Sequence, residues 1–460
     1  MRFLPLLAVL LLLPACQPAD DPASDAADGV PVQTADFAHE ETVLYEVFVR
    51  NFSEEGTFAA VTARLDSLQA LGVNTLWLMP IHPISEANRK GTLGSPYAIR
   101  DYKAVNPLLG TEDDFRTLVD ATHARGMKLI IDWVANHTGW DNAWIEAHPD
   151  YYTQNENGEI IVPRDNAGNL TDWTDTADLN YDNPDTRAAM IDALTYWVRE
   201  FNIDGYRCDV AGMVPNGFWA AAIDSLRAIK PVFMLAEWST GEVHAAGFDA
   251  SYGWPRYARV KEVWNGDATA QSLVDLVAEE EATYPEGALR MNFTSNHDET
   301  AWDATPLELF GGDDGARAAA TAMLLMPGFP LVYNGQEYAD PQRIPLFEKT
   351  AVSRDEDGAG PMRSFYTDLL AFRTSNDAFT HGTVEAVAHD QTETVIAYAM
   401  EHNGTTMLVA VNTRAEAATV QLDAPPAGAE VVFGDAAMDA GALALPGYGY
   451  VVLRADAVEA

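Results

Sequence analysis

The side chains able to do chemistry gather at the ends of short apolar runs. KLIIDWV (128–134) contains Asp132 and leads into Asn136 and His137. GYRCDVA (205–211) carries Arg207 and Asp209, VFMLAE (232–237) ends on Glu237, and LRMNFTS (289–295) leads into Asn296, His297 and Asp298. If these runs are strands whose ends meet on one face, Asp209, Glu237 and Asp298 share one mouth with Arg207 and two histidines beside them. Like charges held close push carboxyl pKa values apart, so one acid keeps its proton while another ionises. Two carboxyls about 5–5.5 Å apart suit cleavage of a glycosidic bond with retention of configuration. The same histidines and carboxylates could instead ligate a metal. Taken singly, each residue has an ordinary structural reading: a strand-end Asp caps a helix, a buried His is a satisfied core residue, and Arg207 pairs with an acid. It is their ordered placement on successive runs that points to chemistry.

Those residues need a frame that brings strand ends together. Further apolar runs lie at VLYEVFVRNF (43–52), NTLWLMPI (74–81) and FPLVYNG (329–335), and helical patterns alternate with them at 58–71, 112–125, 186–201, 217–228, 268–284, 316–326 and 363–373. Near-continuous apolar strands alternating with helices predict an α/β fold, a (β/α)8 TIM barrel over residues 42–375, with active groups at the C-terminal strand ends. Residues 138–183 are rich in Asn, Asp, Gly, Trp and Tyr with little helical period, and read as an inserted domain after strand 3. Of the aromatics in and beside it, Trp133, Trp140, Trp144, Tyr151, Tyr152 and Trp173, most are expected to pack a core. After about residue 375 alternating strands such as TVIAYAM and TMLVAVN take over, predicting a C-terminal antiparallel β-sandwich domain over 376–460.

The chain has 460 residues, and 28 basic against 69 acidic side chains leave a net charge of −41. That charge argues against nucleic acid as a partner. Lysine is scarce, and an acid-rich surface of this kind suits high salt, where screening relieves self-repulsion. The first residues, MRFLPLLAVLLLLPA (1–15), form a short basic start and an apolar run too short for a relaxed membrane span, as in a signal peptide. The Leu13-Pro14-Ala15-Cys16 that follows resembles a bacterial lipobox, which implies lipidation of Cys16 and attachment to the cell envelope by that anchor alone. An acidic tether over 16–41 would link anchor and barrel. Cys208 would then be the only other thiol, and beside the carboxylates it reads as a small buried apolar residue.

DWVANH (132–137), GYRCDV (205–210), LAEW (235–238) and FTSNHD (293–298), in that order and spacing, resemble the four motifs of the α-amylase family, glycoside hydrolase family 13. GVNTLWLMPI, SPYAIRDY, ADLNY and GFPLVYNGQE add to the resemblance. It implies a retaining hydrolase of α-1,4-glucosidic bonds in starch-type α-glucans or maltooligosaccharides, with no organic cofactor. By matching position, Asp209 is the nucleophile, Glu237 the general acid and base, and Asp298 the transition-state stabiliser. Tyr97, His137, Arg207 and His297 would bind substrate, Tyr97 by stacking and Arg207 by keeping the nucleophile ionised. Asn136 and Asp178 would hold a structural calcium between barrel and insertion. One departure stands out: Gly212 and Met213 occupy positions where many family members carry Lys-His, on the leaving-group side. Alternatives within the family are an α-glucosidase, a cyclomaltodextrinase or a glucanotransferase; outside it, a non-catalytic glycan-binding protein, which would ordinarily have lost the carboxylates retained here.

Overall fold

The structure, a computed structural model, describes residues 38–354, 360–425, 428–434, 436–439 and 441–456. Residues 1–15, expected as a signal peptide, Cys16 and nearly all of the expected tether lie outside the described residues. Among the described residues no helix is long and apolar enough to cross a membrane.

Eight parallel strands close into a barrel: β1 (Leu44–Val47), β2 (Thr75–Leu78), β3 (Lys128–Trp133), β4 (Gly205–Cys208), β5 (Phe233–Ala236), β6 (Ala250–Tyr252), β7 (Leu289–Asn292) and β8 (Phe329–Tyr333). Neighbours in sequence are neighbours in the sheet, and β8 pairs with β1. Residues of β1, β2, β4, β5, β6 and β8 are buried throughout, which is why all of these but the three-residue β6 read as apolar runs without alternation. Helices surround them, among them Glu112–His123, Pro184–Phe201, Asn216–Arg227, Gln271–Thr283, Gly312–Leu324 and Pro361–Thr374. Local chemistry sets their starts. Thr111 and Asp114 form a reciprocal capping box, and Asn183 caps a helix that opens on Pro184.

Three details differ from the sequence expectation. The first run stops being a strand at Val47; Val49–Phe52 is a helical turn, because the Phe48 N–H donates to Asn334 Oδ1 at 2.6 Å rather than to a ladder. The helical stretch over 58–71 is two pieces, Phe58–Thr62 and Leu65–Ala70. The sixth strand was not visible as a run at all: it is three residues long with serine at its centre.

Between β3 and β4 the chain forms a two-stranded ladder, His137–Gly139 with Thr176–Asp178, and the short helix Trp144–Ala147. Trp133, Tyr151 and Tyr152 are buried there as core residues. The C-terminal part is two antiparallel sheets. One orders β9 (Thr383–Ala386), β10 (Val395–His402), β11 (Thr405–Asn412), β16 (Tyr450–Asp456) and β13 (Glu430–Gly434); the other orders β12 (Ala418–Gln421), β15 (Ala442–Leu445) and β14 (Ala437–Asp439). Val395, Leu408, Val420, Leu443, Leu445, Val451 and Leu453 share one core drawn from both sheets, the arrangement of a sandwich.

Candidate active site

The carboxyl ends of the barrel strands open into a cleft of about 580 Å³, lined by Tyr97, His137, Asp209, Glu237, His297 and Asp298 among others. At its floor lies Arg207, wholly buried near the end of β4. Its Nη1 donates to Asp132 Oδ1 at 2.9 Å and to Asp209 Oδ1 at 3.0 Å, and its Nε donates to Tyr252 Oη at 3.0 Å. Nη2 stands 2.9 Å from Glu237 Oε2 without an aligned hydrogen bond. Burial pushes the carboxyls of Asp132, Asp209 and Glu237 up and Arg207 opposes the rise at each, while repulsion from Glu237, Asp132 and Asp298 adds to it at Asp209 and repulsion from Asp298 adds to it at Glu237. The aligned bond falls on Asp209, so the guanidinium stabilises that anion more directly than it does Glu237. One cation thus meets two acids in different geometries, an aligned hydrogen bond to Asp209 and a charge contact to Glu237. The rings of Trp77, Tyr97 and Tyr252 stand within 5.1, 5.7 and 5.6 Å of the guanidinium carbon, so cation–π attraction supplements the ion pairs.

Backbone geometry ties the acids together. Val210, directly after Asp209, sits in the left-handed region at φ 36°, ψ 47°, a costly place for a β-branched residue. There its N–H donates to Glu237 Oε2 at 2.7 Å. Next along, Gly212 has no room for a side chain: a Cβ would lie 2.0 Å from the Trp238 indole. The indole fills the space that a Lys at this position would need, and borders a second groove of about 220 Å³. Cys208 is fully buried and burial pushes its thiol well up, so it packs as an apolar residue.

Asp298 follows β7 in the short helix His297–Trp302, which Asn296 caps by accepting from the Asp298 and Glu299 N–H groups at 3.0 and 2.9 Å. His297 Nδ1 lies 2.5 Å from Glu46 Oε1, and its Nε2 lies 2.7 Å from Tyr97 Oη and 3.3 Å from Asp298 Oδ2. Burial opposes charge on this imidazole, but Asp298 and Glu46 outweigh it and hold the pKa up to about 9. In the charged form Nδ1–H donates to Glu46, Nε2–H donates to Tyr97, and the Tyr97 hydroxyl donates to Asp132 Oδ2 at 3.1 Å. The other neighbours facing His297 are Arg207, whose charge acts against it, and the Trp77 ring at 5.8 Å. His137 is the opposite case: burial alone drives its pKa down to about 3, leaving a neutral ring beside Trp173 at 5.5 Å.

A pH prediction follows from this pair. A histidine raised to about 9 on folding contributes stability that is whole below its unfolded value near 6.5 and lost as pH rises through 9. Glu46→Gln removes a buried partner, so the alkaline loss of stability should begin at least about one pH unit lower. Denaturant melts at several pH values between 6 and 10 measure this; an unmoved alkaline limb would count against the pairing.

Every residue expected at the site lines or supports the cleft, except Asn136 and Asp178, which lie beside it. Those two are brought together: His137 pairs with Asp178 across the insertion ladder, and the Leu179 N–H donates to Asn136 O at 3.1 Å. Burial pushes the Asp178 carboxyl up to about 6. Calcium takes about six to eight oxygens, several of them anionic. Here the side chains supply one carboxylate and one amide, and among the described residues no group of three His, Cys, Asp or Glu could hold a metal. The side chains present therefore do not complete a calcium site. Residues not singled out from sequence also build the cleft: Glu46 beneath His297, Tyr252 on Arg207, and Trp302 at the rim. Glu46 did leave a trace, as the lone charge in the centre of the apolar run VLYEVFV.

The family model for the alpha amylase catalytic domain matches residues 28–228. An α-amylase of Haloarcula japonica is 30% identical over 412 residues, covering 86% of this chain and 59% of that protein, so the chain spans little more than half of that relative. Among solved structures, a noncanonic maltogenic α-amylase of Thermotoga neapolitana is 30% identical with a TM-score of 0.79, covering 91% of this chain and 99% of the other. An α-amylase of Lactobacillus plantarum is 31% identical with a TM-score of 0.80, covering 90% and 99%. With two solved α-amylases matched over nearly their whole length and a barrel that carries the four motifs at its mouth, this chain belongs to the α-amylase family.

Proposed function

We propose that this chain hydrolyses α-1,4-glucosidic bonds of starch-type α-glucans or maltooligosaccharides with retention of configuration. One observation carries the reading: a single buried guanidinium lies 3.0 Å from Asp209 and 2.9 Å from Glu237 in a cleft that Asp298 also lines. The ionised Asp209 attacks the anomeric carbon while Glu237 gives its proton to the departing glycosidic oxygen, leaving a covalent glycosyl ester on Asp209. Glu237, now ionised, takes a proton from water; that water attacks the anomeric carbon, and the Asp209 carboxylate departs, restoring the starting state. Asp298 grips the hydroxyls of the central sugar and neutral His137 hydrogen-bonds it as positive charge develops on the ring, while charged His297, with both N–H groups engaged by Glu46 and Tyr97, holds Tyr97 in place. Tyr97 stacks on the sugar face. The names of the relatives support α-glucan as the substrate.

Proton NMR of products from amylose, pullulan, cyclodextrin and maltose tests this. The α-anomer should appear first, from at least one polymer or oligosaccharide. A β-anomer first, or no cleavage of any of them, would sink the reading. Turnover of maltose alone would make the chain an α-glucosidase, preference for cyclodextrin a cyclomaltodextrinase, and products longer than the substrate a glucanotransferase.

No step above runs through calcium. Given the incomplete donor set at Asn136 and Asp178, equal melting temperatures are expected in calcium and in chelator; a rise with calcium would restore the metal. We also infer export and anchoring to the bacterial cell envelope through a lipid on Cys16, supported by the sequence over 1–16. Cys16→Ser should release the protein from the membrane fraction, and retention there would overturn the anchor.

A further inference from the structure

Trp302 is the one tryptophan among the described residues that is mostly exposed, at 62%. An indole left in water forgoes a large burial gain, and such an exposed side chain carries meaning when it borders a cleft. Trp302 lines the same cleft as Asp209, Glu237 and Asp298. It also stands four residues after Asp298 on the helix His297–Trp302, and side chains four apart on a helix share a face. The two side chains therefore spring from points about one helical turn, roughly 5–6 Å, apart on the wall that carries the carboxylate facing the central sugar. That step is about the length of one hexose.

What faces Trp302 is fixed in place. Its ring meets Phe347 edge to face at 5.6 Å. Phe347 belongs to the segment after β8 that is bolted to the loop after β2: the Leu93 N–H donates to Phe347 O at 3.0 Å and the Thr92 N–H donates to Glu348 Oε1 at 2.9 Å. Lys90, in that same loop, sits over the Phe347 ring at 6.0 Å, pairs with Asp175 at 3.2 Å and donates to Asp172 O at 3.0 Å. Three loops from different parts of the chain thus hold one aromatic corner, and the corner's indole face is open.

We propose that Trp302, backed by Phe347, is a stacking platform for the glucose unit next to the one gripped by Asp298. The platform rests on the hydrolase reading above and assigns its substrate preference: oligosaccharides long enough to reach Trp302 bind better than those that fill only the central position. A flat apolar sugar face against a rigid indole recovers the burial that exposure forgoes, at little conformational cost.

The test measures binding without turnover. In full-length Asp209→Asn protein, titration with maltotetraose should give a Kd about tenfold higher when Trp302→Ala is added, and within about threefold of the parent when Trp302→Phe is added instead. In otherwise unaltered protein, Trp302→Ala should raise KM for maltotetraose about tenfold while kcat falls less than threefold, the signature of lost binding rather than lost chemistry. Leu108→Ala, which removes an equally exposed apolar side chain away from this cleft, should change neither. A Kd change under twofold on Trp302→Ala, or equal losses with Ala and Phe, overturns the platform. Absence of turnover in the unaltered protein would instead sink the hydrolase reading, and the binding arm still decides the platform.

Discussion

Asp209→Asn is expected to lower kcat on any cleaved α-glucan by about 10⁴-fold or more while leaving the protein folded and able to bind. The amide keeps the shape of the carboxylate but is a poor nucleophile, so no glycosyl ester forms. Binding survives because Tyr97, His137, His297 and Asp298 still line the cleft. Folding survives for an electrostatic reason: burial raises the Asp209 carboxyl, so its charge is a cost that the amide removes. Equal or higher stability alongside lost turnover is the expected pattern, read by a denaturant melt and a reducing-sugar assay. Retained turnover would refute the nucleophile assignment.

Arg207→Leu should have the largest effect on stability, about 3–5 kcal/mol lost. The guanidinium is wholly buried and is the shared cation of Asp132, Asp209 and Glu237. Leucine roughly fills the space and leaves three buried carboxylates facing one another. Arg207→Lys should rescue little, since a point charge cannot reach Asp132, Asp209, Glu237 and Tyr252 from a fixed fork. The pH dependence separates this account from simple loss of packing. Carboxyls held above their unfolded values lose stability as pH rises, so the deficit should shrink as pH falls toward about 4. A deficit independent of pH would mean that shape, not charge, was what Arg207 supplied.

How much of this was legible in the residues depends on contrast. Asp209, Glu237 and Asp298 stood out because each breaks or ends an apolar run, and the barrel was legible because seven of its strands are such runs. Strand β6 was not: with three residues and a central serine it has no pattern to detect, and closure of the ring around it supplies what its sequence lacks. Glu46 was visible as an isolated charge, but its meaning needs β1 and the end of β7 brought to one mouth with β8 between them, a contact across 251 residues. Trp302 needs the helix first; only a helical turn puts it on the face of Asp298. The Lys-His departure at Gly212 was plain in sequence, while its cause, the indole of Trp238 occupying that space, is purely spatial.

The short β6 has a mechanical side. Strands β1 to β5 are joined by four registered residue pairs at each seam. The seam of β5 with β6 has two, that of β6 with β7 three, and that of β7 with β8 two. Fewer ladder bonds mean a lower free energy of local opening, so the ring has a stiff arc and a compliant arc. Asp209 is mounted on the stiff arc and Asp298 on the compliant one. Trp302, on the compliant side, is steadied instead from outside the ring by Phe347 and the loops that hold it, so the mouth draws from its loops the rigidity that its sheet lacks there.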